Sequence, residues 1–301
     1  MTSLLARRMM MGAAMTAMTA LGPGLAHAAT ATSGTVQVEV VGTGRPLLMI
    51  PGLNSSAEVW RETCLALKDV QCHLLQLPGF AGAAPADPLP DDFLSAMRDQ
   101  VLAYVHARKL HHPAVIGHSL GGVLTLAMAV QEPDALGPLI IVDAVPFYAG
   151  MQNPQATAQS VRALAGQMRT SMLAADAASY QAQAEAALAP LTHVAARLPE
   201  LQRWGRDSDR ASTAGAMYSL LVHDLRQDVA GIRSPTLVLG AWASYQAFGA
   251  TEASARTIFQ TQYAALPDVR IELSASGHHF LMWDDPQWLQ AQVQAFLDSH
   301  R

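Results

Sequence analysis

Gly117-His118-Ser119-Leu120-Gly121-Gly122 is the stretch around which this chain is organised. It follows the apolar run Ala114-Val115-Ile116 and precedes an apolar run from Val123 to Val130, so a short strand is predicted to turn sharply into a helix. Glycines stand on both sides of the serine, where a side chain would crowd the strand against the start of the helix. We therefore expect Ser119 to hold a strained backbone conformation that raises its hydroxyl above the sheet.

The helix that follows Ser119 adds a chemical argument. The backbone amides of its first turn would point toward negative charge that develops beside the serine. G-x-S-x-G also occurs in ordinary turns, but here the required strand and helix flank it. The pattern therefore favours a serine nucleophile on a sharp elbow over a plain loop.

Composition limits the classes of protein that fit. The chain has 301 residues, 50% of them hydrophobic and 14% charged, with a formal net charge of −5. These values suit one large α/β domain with an insertion, or two closely packed lobes. The sequence contains no basic stripe, so we expect no nucleic-acid partner.

Residues 1–28 read as a secretory signal peptide and not as part of the fold. Arg7 and Arg8 precede an apolar segment from Met9 to Leu25, and Ala26-His27-Ala28 places small residues around a cleavage point. Glycines and a proline interrupt the apolar segment, which makes a permanent membrane anchor the weaker interpretation. We expect a periplasmic or secreted protein without stable membrane insertion once the signal is removed.

The chain has two cysteines, Cys64 and Cys72, eight positions apart. In an exported protein they could form a disulfide between the end of one helix and the start of the next strand. Two reduced, buried thiols fit the spacing as well. No Cys/His cluster has metal-ligand spacing, so the sequence predicts no metal site.

Apolar strands alternate with helices along most of the chain, as in a parallel sheet covered on both faces. From Pro146 to Ile232 the pattern changes to Ala-, Gln- and Met-rich helical stretches without a convincing strand. We predict a core formed by residues 29–145 and 233–301 and a helical cap at 146–232. The predicted strands are Thr35–Val41, Pro46–Ile50, Cys72–Leu77, Pro113–Ile116, Pro138–Asp143, Pro235–Gly240 and Val269–Leu273.

Several motifs together resemble the α/β-hydrolase superfamily, in the branch with a helical cap between the sixth and seventh core strands. The resemblance covers residues 35–300 and implies an α/β fold with a mostly parallel, eight-stranded-type sheet. It identifies the superfamily and not a substrate. The motifs are Ile50-Pro51-Gly52-Leu53, Leu77-Pro78-Gly79-Phe80, Gly117 to Gly122, Pro235 to Gly240, and Ser276-Gly277-His278-His279-Phe280.

The resemblance implies that Ser119 attacks an acyl carbonyl and that His278 accepts its proton. The family pattern puts the base directly after the glycine, which favours His278 over His279. Leu120 and Leu53 would donate the two backbone amides of an oxyanion hole.

The acid of the triad departs from the family pattern. Most relatives carry an aspartate just beyond the strand that here ends at Gly240, but residues 241–251 contain no carboxylate. Asp143 is the favoured substitute because it ends an otherwise apolar strand. Glu252, the first acid after the gap, is one alternative. The other is that neither acid takes part and the enzyme works with a Ser–His dyad or not at all.

These features predict an exported serine hydrolase that cleaves small, apolar carboxylic esters, thioesters or lactones without a metal or organic cofactor. Carboxylesterase is the simplest description. One alternative is a hydrolase-fold binding protein with little or no turnover. Another is a cofactor-independent perhydrolase or oxidase on the same scaffold.

Overall fold

The computed structural model describes residues 34–300. Residues 1–33 and Arg301 lie outside this range, and so does the predicted signal peptide at 1–28. The predicted domain boundaries at 145/146 and 232/233 fall within it.

The described residues form one seven-stranded sheet with the order β1-β3-β2-β4-β5-β6-β7. Every neighbouring pair is parallel except β1 and β3, which are antiparallel. The predicted mostly parallel α/β sheet is therefore confirmed, with seven strands in residues 34–300 where an eight-stranded type was expected. The strands are β1 (Gln37–Gly42), β2 (Arg45–Ile50), β3 (Val70–Gln76), β4 (Ala114–His118), β5 (Leu139–Val142), β6 (Thr236–Gly240) and β7 (Val269–Leu273).

Helices connect the strands and cover both faces of the sheet. The helix expected from Ser56 to Leu67 begins as a 3₁₀ turn, Ala57–Trp60, before becoming α-helical. The α-helices of the described chain are α1 (Arg61–Ala66), α2 (Phe93–Ala107), α3 (Leu120–Gln131), α4 (Ala158–Ala174), α5 (Ala177–Leu188), α6 (Leu198–Asp207), α7 (Arg210–Val222), α8 (Glu252–Gln262), α9 (Leu281–Asp284) and α10 (Pro286–Ser299).

Strand residues alternate between two hydrophobic clusters, one on each face of the sheet. In β2, Leu48 and Ile50 belong to the cluster beneath α2 and α3, whereas Leu47 and Met49 belong to the cluster beneath α1 and α10. All four side chains are completely buried. This two-sided burial explains why the strands read as continuous apolar runs and not as alternating ones.

Residues 146–232 contain helices α4 to α7 and no strand, all within the described range. We refer to this stretch as the helical segment. One attachment to the core runs through Asp92, the N-cap of α2, whose carboxylate accepts hydrogen bonds from Ser219 Oγ of α7 at 3.0 Å and pairs with His223 Nε2 at 2.8 Å. The cap of a core helix therefore also anchors the helical segment.

Cys64 in α1 and Cys72 in β3 are joined in a disulfide with a Cα–Cα distance of 6.1 Å. Of the two states that the sequence left open, the structure has the disulfide. It ties α1 to the sheet face on which that helix packs.

No helix between residues 34 and 300 combines the length and the apolar character that crossing a membrane requires.

The Asp92 anchor predicts acid sensitivity. Burial alone would raise the pKa of this carboxyl, but hydrogen bonds from His223 and Ser95 outweigh it and hold the pKa well below the usual 3.8. A carboxyl with a lowered folded pKa stabilises the fold above the pKa of the unfolded chain, and this stability is lost as pH falls below about 4. Asp92→Asn keeps a capping oxygen and removes the charge, so its free energy of unfolding should decline less than that of the wild type between about pH 4 and pH 2.

Urea unfolding at stepped pH measures this difference. Asp134→Asn is the control because it removes the same charge from an exposed surface pair with Arg233. If the free energies of unfolding of wild type and Asp92→Asn changed in parallel with pH, the proposed role of the Asp92 carboxylate would be contradicted.

Candidate active site

Ser119 occupies a strained turn between β4 and α3. Its φ of 53° and ψ of −119° are unusual for a residue with a side chain. The Ser119 amide donates to the Val142 carbonyl of β5 at 2.9 Å, which fixes the turn to the neighbouring strand. A Cβ at Gly117 would clash with the Gly121 carbonyl, and one at Gly121 with the Ile50 carbonyl. The expected strand–serine–helix geometry is present.

The loop after β2 lies directly against this turn. A Cβ built on Gly52 would stand 3.1 Å from the Ser119 Cβ, so only glycine lets the two backbones approach this closely. Leu53 follows Gly52, and Leu120 is the first residue of α3, where helix amides have no partner within the helix. Both predicted oxyanion residues therefore stand next to the serine in the fold.

Asp143 and His279 form a hydrogen bond at the same edge of the sheet. His279 Nδ1 lies 2.6 Å from Asp143 Oδ2, and Asp143 Oδ1 accepts the Ala241 amide at 2.8 Å. The two side chains are only 23% and 12% exposed. Because the carboxylate accepts the Nδ1 proton of a neutral imidazole, Nε2 of His279 keeps a lone pair for another proton.

His278, the base favoured from the sequence, does not occupy this position. Its ring faces the helical segment, at right angles to His193 with ring centroids 5.2 Å apart, and its amide donates to Asp284 Oδ2. Neighbouring side chains leave the backbone in different directions, so only one of the two histidines can face Asp143. The structure therefore brings His279, and not the expected His278, to Asp143.

Glu252, the alternative acid, begins α8 and is exposed. It pairs with Arg256 one helical turn later at 2.9 Å. It is absent from the residues that line the pocket around Ser119. Of the two candidate acids, Asp143 is the one that contacts a histidine next to the serine.

His118 supports the loop that carries His278 and His279. Its Nε2–H donates to the His279 carbonyl at 2.9 Å, and the two imidazole centroids are 4.5 Å apart. Complete burial, reinforced by neighbouring His279, holds the pKa of His118 well below its usual 6.5. A neutral His118 thus fixes the backbone of the residue that pairs with Asp143.

Ser119, Asp143 and His279 line one cleft at the carboxyl ends of the parallel strands. Its empty volume is about 490 Å³ with the open mouth included, and most of its wall is apolar. A second cleft of about 780 Å³ shares part of this wall. The residues common to both are Tyr148, Met151, Ala241 and Phe259.

Aromatic and sulfur-containing side chains contribute to the apolar walls. Tyr148 and Met151 border both clefts, and Trp242 borders the second. Trp204 packs on Trp283 in the core, with ring centroids 5.6 Å apart. Long-range packing brings in further residues that carry no local signal, namely Val123, Leu220, Ala241, Phe259 and Ile258.

Comparisons with known proteins identify related sequences and folds. The model of a family described as alpha/beta hydrolase family matches residues 47–291. The chain is 29% identical over 123 residues to the pimeloyl-[acyl-carrier protein] methyl ester esterase of Vibrio atlanticus, covering 40% of this chain and 45% of that protein. The corresponding Aeromonas salmonicida esterase is 32% identical over 114 residues, covering 38% and 43%. The chain thus matches less than half the length of these curated esterases.

Solved structures resemble the chain over nearly its whole described length. The enol-lactonase of Burkholderia xenovorans LB400 superposes with a TM-score of 0.69 at 16% identity, covering 87% of this chain and 96% of that one. The esterase EaEST of Exiguobacterium antarcticum gives 0.69 at 17% identity, covering 88% and 99%. At these identities the likeness establishes the fold.

The buried His118 predicts a loss of stability on mild acidification. The unfolded chain binds a proton at this histidine below about pH 6.5, whereas the folded chain resists it, so stability falls as pH drops through this value. One such group contributes a slope of up to about 1.4 kcal/mol per pH unit. His118→Gln keeps an N–H donor without a titrating group, and its unfolding free energy should fall less steeply from pH 7 to pH 5.

Denaturant unfolding across this pH range is the measurement. His111→Gln, at an exposed position, is the control and should follow the wild type. Equal slopes for wild type and His118→Gln would show that His118 titrates as it does in the unfolded chain.

Proposed function

Because the chain belongs to the alpha/beta hydrolase family, we propose that it is a serine hydrolase that cleaves carboxylic esters through an acyl-enzyme on Ser119. The observation that carries this proposal is the placement of Ser119, His279 and Asp143 in one cleft, with the Asp143 carboxylate on His279 Nδ1. Similarity to proteins named as esterases supports ester bonds as the target.

In the proposed reaction, Ser119 Oγ attacks the carbonyl carbon of the ester while His279 Nε2 accepts the hydroxyl proton. Asp143 stabilises the imidazolium and holds the ring in the required tautomer. The proton then passes from Nε2 to the leaving alcohol oxygen as the C–O bond breaks. A water molecule attacks the acyl-enzyme by the same route in reverse and releases the acid and free Ser119.

The oxyanion of each tetrahedral intermediate would accept hydrogen bonds from the Leu53 and Leu120 amides. The position of Gly52 against Ser119 and the place of Leu120 at the start of α3 support this assignment. Loss of one such donor typically costs about 3 to 4 kcal/mol of transition-state stabilisation. The close approach of the Gly52 loop to Ser119 is therefore as important to the proposed mechanism as Ser119 itself.

The clefts favour an uncharged, apolar substrate. Among the described residues that line them, none is Lys or Arg, and the only ionisable groups at the catalytic end are Asp143, His279 and Tyr148. Apolar walls suit the acyl or alcohol part of an ester, thioester or lactone of modest size. An anionic substrate would meet no compensating charge there.

The lack of a carboxylate at 241–251 suggested an inactive binding protein on this fold. Asp143 supports the enzymatic alternative instead, because it supplies a carboxylate to a histidine through a different strand end. Peracid formation from acyl-enzyme and hydrogen peroxide uses the same groups, so substrate screening is part of the test.

We also propose that the protein is exported to the periplasm or beyond. The signal-like pattern of residues 1–28 motivates this proposal, and the Cys64–Cys72 disulfide supports it because such bonds persist in oxidising compartments.

Removing the nucleophile should abolish turnover. We expect Ser119→Ala to lower kcat for p-nitrophenyl butyrate by about 10⁵ to 10⁶-fold and to prevent labelling by a fluorophosphonate probe. Tandem mass spectrometry of peptides from the labelled wild type should locate the probe on Ser119. Undiminished hydrolysis by Ser119→Ala would end the acyl-enzyme proposal.

Paired variants separate the candidates for base and acid. His279→Ala and Asp143→Asn should each lower kcat by at least about 10³-fold, because one removes the proton acceptor and the other the group that orients it. His278→Ala and Glu252→Gln are the matched controls and should change kcat less than about tenfold. If His278→Ala or Glu252→Gln lost most of its kcat while the paired variant kept it, the role of base or acid would belong to the control residue.

A further inference from the structure

A cluster of potential metal ligands lies at the loop that carries His278 and His279, outside the cleft at Ser119. It consists of His193 from the helical segment, His278 from the loop before α9, and Asp284, the last residue of α9. One ligand atom from each of the three side chains lies within 4.8 Å of those of the other two. The proposed hydrolysis uses none of these side chains.

The Asp284 carboxylate is the fixed centre of the cluster. Its side chain is fully buried, with 0% exposure. Oδ1 accepts hydrogen bonds from the Thr192 hydroxyl at 2.6 Å and the His193 amide at 3.2 Å, and Oδ2 accepts the His278 amide at 3.0 Å. These are neutral donors, and a carboxylate offers about four acceptor positions, so a lone pair stays free on a buried charge.

Each histidine offers one ring nitrogen within 4.8 Å of the Asp284 carboxylate. His193 Nδ1 lies 3.8 Å from Asp284 Oδ1, on a side chain that is 43% exposed. His278 Nδ1 is buried and has no hydrogen-bond partner within residues 34–300. A buried polar atom without a partner is unfavourable, and a bound cation would satisfy it.

We propose that His193, His278 and Asp284 bind a divalent transition-metal ion, with Zn²⁺ as the best-suited ion. Two imidazoles and one carboxylate form a donor set that zinc accepts, with solvent completing the coordination. Zinc–nitrogen bonds of about 2.0 to 2.1 Å require the three ligand atoms to draw closer together. The exposed His193 can supply this movement by side-chain rotation, while hydrogen bonds hold Asp284 in place.

The site would join two parts of the molecule. His193 belongs to the helical segment, whereas His278 is adjacent to His279, which pairs with Asp143. A bound ion would fasten the helical segment to the loop that carries His279. No local sequence pattern indicates this site, because His193 stands far from the other two ligands along the chain.

Isothermal titration of EDTA-treated, gel-filtered protein with ZnCl₂ tests the proposal, and its readout is independent of hydrolysis. We expect one Zn²⁺ per chain and at least about 100-fold weaker binding in His193→Ala and His278→Ala. Co²⁺ should give visible absorption bands of a low-coordinate nitrogen and oxygen site. His106→Ala is the matched control, since His106 forms an exposed pair with Glu132 elsewhere on the surface.

His193→Ala removes an exposed side chain, and circular dichroism will verify that it folds. Zinc binding that is equal in wild type and His193→Ala overturns the proposal, as does the absence of binding in the wild type. Binding lost in His279→Ala but kept in His193→Ala would place the ion in the catalytic cleft and also overturn it.

Discussion

The close contact between the start of α3 and the ends of β2 and β4 is the constraint on which this structure depends. At Gly117 and Gly121 any side chain would overlap a backbone carbonyl, and at Gly52 it would press on Ser119. The helix can therefore begin directly above the sheet, and Ser119 must take a positive φ to connect the two. Buried apolar residues throughout α3 supply the packing energy that holds this conformation. The serine hydroxyl is exposed to the cleft because the backbone around it cannot relax.

The parallel strands bring other candidate site residues to the strained turn at Ser119. The carboxyl ends of β4, β5, β6 and β7 lie side by side, so the residues that follow them meet at one edge of the sheet even though they are far apart in sequence. Ser119, Asp143, Ala241 and His279 come from these four ends. Asp143 also has a positive φ, of 45°, and the next carbonyl, that of Ala144, accepts a hydrogen bond from the buried Tyr263 hydroxyl at 2.9 Å. Asp143 is therefore oriented by the backbone as well as by His279.

The loop after β7 carries two histidines that face different parts of the molecule. His279 faces Asp143 and the cleft, and its carbonyl is held by the buried His118. His278 faces the helical segment, where Asp284 collects hydrogen bonds from Thr192 and His193. The helical segment is attached a second time through Asp92, which receives Ser219 and His223. Since Tyr148, Met151 and Leu220 of this segment also line the cleft at Ser119, its attachments influence the shape of that cleft.

The sequence by itself determined the fold and indicated most of the candidate site. Buried strands are visible as apolar runs, and the glycines around Ser119 have a local steric reason, so the elbow, the loop at Leu53 and Asp143 as a candidate acid could be predicted. Tertiary structure alone showed which of His278 and His279 faces Asp143, because two identical side chains on one loop differ only in what surrounds them. It also decided the state of Cys64 and Cys72 and brought His193 to Asp284. Such choices depend on the direction of side chains and on distances across the fold, and neither is encoded in the spacing of residues along the chain.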